Sequence, residues 1–162
     1  MFLKDEQLSL LDKRVLDPCA GGDEKHPMSY PDVLQQYGVD EIVTNDIRED
    51  SLADHKVDFR YWPDGEMYDM VITNPPFNQA QEIIEKAISL TVEGGYVVML
   101  LRLNFLGSKQ RKPFWEEYPP YRIYVHHKRM SFKDTGGTDS IEYAHFVWRI
   151  GERPQEAKLK IL

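Results

Sequence analysis

Short apolar runs that each close on an acidic or amide residue constrain this chain more than any other feature. Val15-Leu16 runs into Asp17-Pro18, Ile42-Val43-Thr44 into Asn45-Asp46, Val57 into Asp58-Phe59, and Met70-Val71-Ile72-Thr73 into Asn74-Pro75. Runs this short, bounded by turn residues, predict buried strands over Arg14–Asp17, Glu41–Thr44, 57–59 and Tyr68–Thr73. A further strand is predicted over 96–103, apolar on both faces and therefore central. Helical spacing fills the gaps. Residues 31–37 predict a short helix with Ser29 or Tyr30 as cap, Pro31 at its first position and Gly38 as its stop. Ala80, Ile83, Ile84, Ala87, Ile88 and Thr91 predict a second, capped by Asn78 with Gln81 in the reciprocal position and followed by Gly94-Gly95. A third is predicted from Ser108 through Glu117, stopped by Pro119-Pro120. Two last strands, over 121–126 and 142–150, are expected to pair antiparallel. Strands alternating with helices make an α/β, doubly wound, mostly parallel sheet, here with an antiparallel β-hairpin at its edge.

Such sheets bind ligands in the crevice at the carboxyl ends of their strands. Asp17, Asp46, Asp58 and Asn74 each fall at or just past such an end and are expected to converge there. The segment Asn74-Pro75-Pro76-Phe77 is the most telling. Two successive prolines make a rigid exit without N–H donors of its own, so the Pro75 carbonyl is left to accept a bond from elsewhere. Asn74 adds a side-chain acceptor and Phe77 a flat ring. Two acceptors and a stacking face suit a planar base with an exocyclic amine.

This segment resembles the catalytic motif of the amino-methyltransferases, (Asp/Asn/Ser)-Pro-Pro-aromatic. The upstream Asp17-Pro18-Cys19-Ala20-Gly21-Gly22 resembles the same family's cofactor motif, Asp-Pro-x-x-Gly-x-Gly. The resemblance extends over roughly 15–151, and the compact size is similar to that of small phage-encoded N6-adenine methyltransferases. It implies a Rossmann-like class I methyltransferase fold over 1–151 followed by a tail, 152–162. It also implies S-adenosyl-L-methionine as cofactor and methyl transfer to the N6 amine of adenine in DNA. By the resemblance, Asp17, Pro18, Ala20, Gly21 and Gly22 hold the methionine end of the cofactor. Asp46 accepts from the ribose hydroxyls, and Asp58 and Phe59 meet the cofactor's adenine. Asn74, Pro75, Pro76 and Phe77 bind the target base. RNA adenine and protein glutamine are alternative acceptors for the same chemistry, and a non-catalytic binding subunit is an alternative of another class. Where relatives run from the glycine loop straight into a helix, this chain inserts 23–29. It also has no separate target-recognition domain, which implies low or very short sequence specificity.

Charge bears on the partner. The chain carries a net −7, yet 102–133 holds eight Lys and Arg against two Glu, a local +6. A basic stretch on an acidic protein is the pattern of one face meeting phosphate, and it singles out Lys109, Arg111, Lys112, Arg129 and Lys133 as nucleic-acid contacts. With 41% apolar residues the chain is expected to fold as one domain. The longest apolar run, 96–101, is too short for a membrane span, the first residues lack the pattern of a signal peptide, and Cys19 is the sole cysteine. A cytoplasmic protein without disulfide, metal site or membrane contact is the expectation. His126 and His127 are adjacent and point to opposite faces of a strand, so they do not share a metal. In the tail, Leu159 and Ile161 alternate with lysines, as an added strand, an association surface or a disordered end would allow.

Overall fold

The computed structural model describes residues 12–127 and 141–162. Its centre is a seven-stranded sheet in the order β2-β1-β3-β4-β6-β5-β7. The strands are β1 (Arg14–Asp17), β2 (Glu41–Thr44), β3 (Tyr68–Thr73), β4 (Thr91–Arg102), β5 (Arg122–Val125), β6 (Tyr143–Arg149) and β7 (Lys158–Ile161). Neighbours run parallel except around β6, which lies antiparallel between β4 and β5. The antiparallel β5–β6 pair is present, but β7 from the tail takes the edge position beyond it, parallel to β5.

Helices cover both faces, as strands buried on both faces require. Val15, Met70, Ile72, Val98 and Val147 pack on one side against Leu34 of α1 (Ser29–Gln36). On the other, Leu16, Val71, Val97, Met99 and Phe146 pack against α2 (Ala80–Ser89) and α3 (Lys112–Glu117). The apolar stripe of α2 is buried as its spacing demands: Ala80, Ile83, Ile84 and Ala87 are all 3% exposed or less.

Several local expectations are corrected. No third strand forms over 57–59. The carboxamide of Asn45 instead accepts from the Val57 N–H and donates to the Val57 carbonyl, both at 3.0 Å, and donates to the Pro18 carbonyl at 3.0 Å. One buried side chain therefore consumes the backbone groups a strand would use, and Asp58 then caps a 3-10 turn at Phe59–Tyr61 by accepting from the Arg60 N–H. Neither Ser29 nor Tyr30 caps α1; the flanking residue is Met28, without a side-chain cap bond. Helix α2 begins after Gln79, so Asn78 makes no cap and Gln81 donates along the helix to Glu85. Ser108 likewise caps nothing, and the third helix is split into a 3-10 turn at Lys109–Arg111 and the short α3, with Pro113 in its first turn.

Gly94 and Gly95 lie inside β4 rather than ending a connection before it, and Thr91, expected in the stripe of α2, is the first residue of β4. The pairing with β3 jumps from Tyr68↔Thr91 to Met70↔Tyr96, and a Cβ at Gly95 would stand 2.7 Å from the Asp69 carbonyl oxygen. The irregularity needs a residue with no side chain at that crossing.

Candidate active site

β1 and β3 are neighbours, and their exits are tied together by one polar knot. The Thr73 hydroxyl donates to Asp17 at 2.7 Å, and the Cys19 N–H donates to Thr73 Oγ1 at 3.1 Å and to Asp17 Oδ1 at 3.3 Å. Asp17 is fully buried, and burial outweighs these bonds, lifting its carboxyl to about 7. Burial also pushes the Cys19 thiol up to about 12, which leaves it a packing residue rather than a nucleophile.

The glycine loop follows directly. Gly21 and Gly22 have φ of +65° and +74°, a conformation that side-chain-bearing residues rarely adopt. Asp46, arriving from β2, accepts from the Gly21 N–H at 2.9 Å and from the Arg48 N–H at 2.9 Å. Arg48 reaches back over the loop and donates to the Gly22 carbonyl at 3.1 Å. Asp46 thus positions the loop, and its carboxylate, with lone pairs to spare, also faces the adjoining cavity. The inserted segment closes on itself through Asp23, whose Oδ1 accepts from the N–H of Lys25 and of His26 at 2.8 and 2.9 Å. This turn lets α1 start at Ser29.

A cavity of about 230 Å³ opens at these strand ends. Pro18, Asp46, Asp58, Phe59, Asn74 and Pro76 line it, so three of the four strand-end polar residues come together as expected. Asp17, Ala20, Gly21, Gly22, Pro75 and Phe77 do not line it; Asp17 lies beneath, and the loop and motif residues flank it. Asp58 is spoken for as well: Arg60 holds it in a 2.6 Å ion pair that keeps its carboxyl below the usual range. Sequence reasoning missed Ile47, Arg48, Val57, Gln79 and Ile83, which also face the cavity. Ile47 and Val57 are 61% and 44% exposed, and a large apolar side chain left in the open beside an acidic strand end is the signal that marks them.

Among the described residues, four side-chain atoms are buried without a hydrogen-bond partner. Three of them, Asp17 Oδ2, Asn74 Oδ1 and Arg102 Nε, belong to this region. Such atoms cost stability unless a ligand completes them. Two of the three are acceptors, so they fit a ligand that brings N–H donors. The Pro75 carbonyl is a third acceptor to which no described group donates.

Phe77 departs from expectation. Its ring is half-buried, with the Arg102 guanidinium over it at 4.6 Å and the Tyr143 ring at 5.9 Å. A stacking partner reaches that face by displacing Arg102 or by sliding beneath it. The basic contacts divide too. Arg111 turns inward, donating to the Phe105 carbonyl at 2.9 Å with its guanidinium 4.2 Å from the Phe105 ring. Lys112 pairs with Glu116 at 3.5 Å and stays exposed. Lys109 is exposed and makes no ion pair among the described residues. Arg129 and Lys133 lie outside the described residues. No group of three His, Cys, Asp or Glu among the described residues could hold a metal ion, and no described helix is long and apolar enough to cross a membrane.

The fold matches solved structures over nearly the whole chain. A type I restriction-modification system methyltransferase subunit from Streptococcus thermophilus superposes with a TM-score of 0.69 at 12% identity, covering 94% of this chain and 43% of that one. A protein assigned as a hemolysin, from the same organism, gives 0.67 at 15%, covering 98% and 65%. A protein assigned as a class I S-adenosylmethionine-dependent methyltransferase, from Listeria monocytogenes, gives 0.65 at 13%, covering 99% and 63%. The chain therefore has the Rossmann-like class I methyltransferase fold. It spans just under two thirds of the length of the last two. No protein-family model matches the sequence, and no curated protein does.

Proposed function

We propose that the chain transfers a methyl group from S-adenosylmethionine to the N6 amine of adenine in DNA. The observation that carries this reading is the pair of unpartnered acceptors, Asn74 Oδ1 and the Pro75 carbonyl, beside the strand-end cavity. An exocyclic amine brings two N–H groups and satisfies both. The solved relative from a restriction-modification system acts in a setting compatible with a nucleic-acid substrate.

The division of labour follows from chemistry. The lone pair of an adenine amine is delocalised into the ring. Accepting both N–H bonds, Asn74 and Pro75 favour the pyramidal nitrogen that develops as the new C–N bond forms, so they stabilise the transition state more than the ground state. When bound, S-adenosylmethionine would supply a methyl made electrophilic by its sulfonium; the S–CH3 bond would break as the C–N bond forms, a neutral thioether would leave, and the surplus N6 proton would pass to water. Asp17, with a buried oxygen lacking a donor, would receive the cofactor's amine. Asp46 would accept from its ribose, and Ile47 and Val57 would flank its base. The prolines hold the two acceptors rigid, which contributes alignment. A base within a duplex has to be flipped out to reach them.

Radiolabelled S-adenosylmethionine offered with unmethylated DNA, RNA and protein extract, followed by nucleoside analysis, tests the reading. Label in N6-methyladenine from DNA is expected, whereas label confined to protein overturns it. Asn74→Ala is expected to lower kcat by about 10²–10³-fold while cofactor affinity is kept. Parallel loss of both would remove Asn74 from the catalytic role.

A further inference from the structure

A second cavity, of about 310 Å³, lies beside the first and shares Gln79 with it. Phe77 and Phe105 form part of its wall, and the rest is polar: Asn78, Gln79 and Gln81 from the start of α2, Ser108 and Gln110 from the turn after β4. Two of the residues expected to cap helices, Asn78 and Ser108, are both here and cap nothing. The side chains of Asn78, Gln79, Ser108 and Gln110 make no hydrogen bond with any described residue. The two charged residues in the wall are already engaged. Glu82 pairs with Arg60 at 3.1 Å, and Arg111 is held by Phe105. The groups left to meet a ligand are thus neutral carboxamides and a hydroxyl, each offering both a donor and an acceptor.

That inventory selects against a phosphate, which calls for free Arg, Lys or clustered N–H groups. It suits the edge of a nucleobase, a flat array of donors and acceptors that carboxamides read in pairs. Resting on the proposed methylation of adenine, we infer that this cleft seats a base next to the reacting one in the substrate strand. Asn78 and Gln110 read its edge, and Phe77 and Phe105 bound it. Lys109, exposed on the same turn as Gln110, is placed to meet the strand's phosphate. A short sequence preference would then reside in these few carboxamides.

Single-stranded oligonucleotides with one adenine and every combination of neighbouring bases test this. Binding is read by fluorescence anisotropy in the presence of S-adenosylhomocysteine, and methylation by initial rate. The wild type is expected to discriminate among bases on one side of the adenine by about tenfold, and Asn78→Leu and Gln110→Leu to flatten that profile to within about twofold. Neither side chain makes a hydrogen bond with a described residue, and the variants are checked for folding by circular dichroism. An unchanged profile in both variants overturns the inference. So does an equal loss in every context, which would assign the cleft to the reacting base itself, and so does a wild type indifferent to neighbours. Neighbour-dependent binding without methylation keeps the cleft and removes the methylation reading; methylation without neighbour dependence does the reverse.

Discussion

Burial displaces Asp17 and His145 far from their ordinary ranges, and the two pull stability in opposite directions. Asp17, lifted to about 7 by burial, holds a proton in the folded state over a range where the unfolded chain has released it. Its contribution is therefore present in acid and is lost as pH rises from about 4 to 7. His145 is pushed down to about 3, chiefly by burial. It stays neutral between the Tyr30 hydroxyl at 2.9 Å and His126 Nε2 at 2.8 Å. The unfolded chain binds the extra proton below about 6.5, so this group's contribution is full above that pH and is lost as pH falls toward 3. His145→Gln is expected to flatten the loss of stability between about pH 6.5 and 4, measured by urea unfolding at stepped pH. Asp17 also gives the proposed cofactor site a proton-linked signature. A cationic amine beside it favours the ionised carboxylate, so binding at pH 6 should release a proton and tighten as pH rises toward about 7. Calorimetry in two buffers of different ionisation enthalpy reads that release, and Asp17→Asn should abolish it.

Elements were legible wherever an apolar stripe met a buried face. Strands β1, β2 and β3 fall where hydrophobic spacing puts them, whereas β4 starts at Thr91, ahead of the expected 96, and so takes Thr91 out of a helical pattern that otherwise holds in α2. Capping was not legible, because Asn78 and Ser108 carry the right groups at the right offsets but face a cleft instead of a helix end. Nor was the loss of the strand at 57–59, since it depends on Asn45, a residue twelve positions away whose carboxamide bonds both Val57 backbone groups. Apolar character alone also misjudges energy. Ile84 in α2 is fully buried, whereas Leu159 in β7 is 60% exposed. Ile84→Ala is expected to cost about 2–5 kcal/mol. Leu159→Ala should stay within about 0.5 kcal/mol. Chemical denaturation distinguishes the two, and similar losses would mean that β7 packs more tightly than its exposure implies.

Across the whole molecule, the basic stretch is less of a phosphate surface than its charge count suggests. Arg102 lies on Phe77, Arg111 on Phe105, and Arg122 donates to Tyr124 Oη at 2.9 Å. Guanidinium groups on aromatic faces tie the segment after β4 to the core. Lys109 is the described cation best placed for a backbone contact. Lys109→Ala is expected to reduce the slope of log affinity for single-stranded DNA against log salt by about 0.7, while Arg111→Ala should leave the slope and lower stability. An equal change of slope in both variants would return Arg111 to the phosphate surface.

Periodicity and strand-end chemistry alone determined the α/β architecture and the strand-end residues Asp46, Asp58 and Asn74 that gather at the crevice. These follow from local rules: which residues alternate, which break a strand, which carry acceptors. Tertiary structure decided what those groups have left to offer. It buried Asp17 beneath the cavity and turned Asp46 partly to its own glycine loop. It laid Arg102 on Phe77, and it left Asn78, Gln79 and Gln110 in a second cleft without a side-chain partner among the described residues. Each of these depends on which distant backbone or ring comes within about 3–5 Å, and contact at that range is a property of the packed sheet rather than of any stretch of chain.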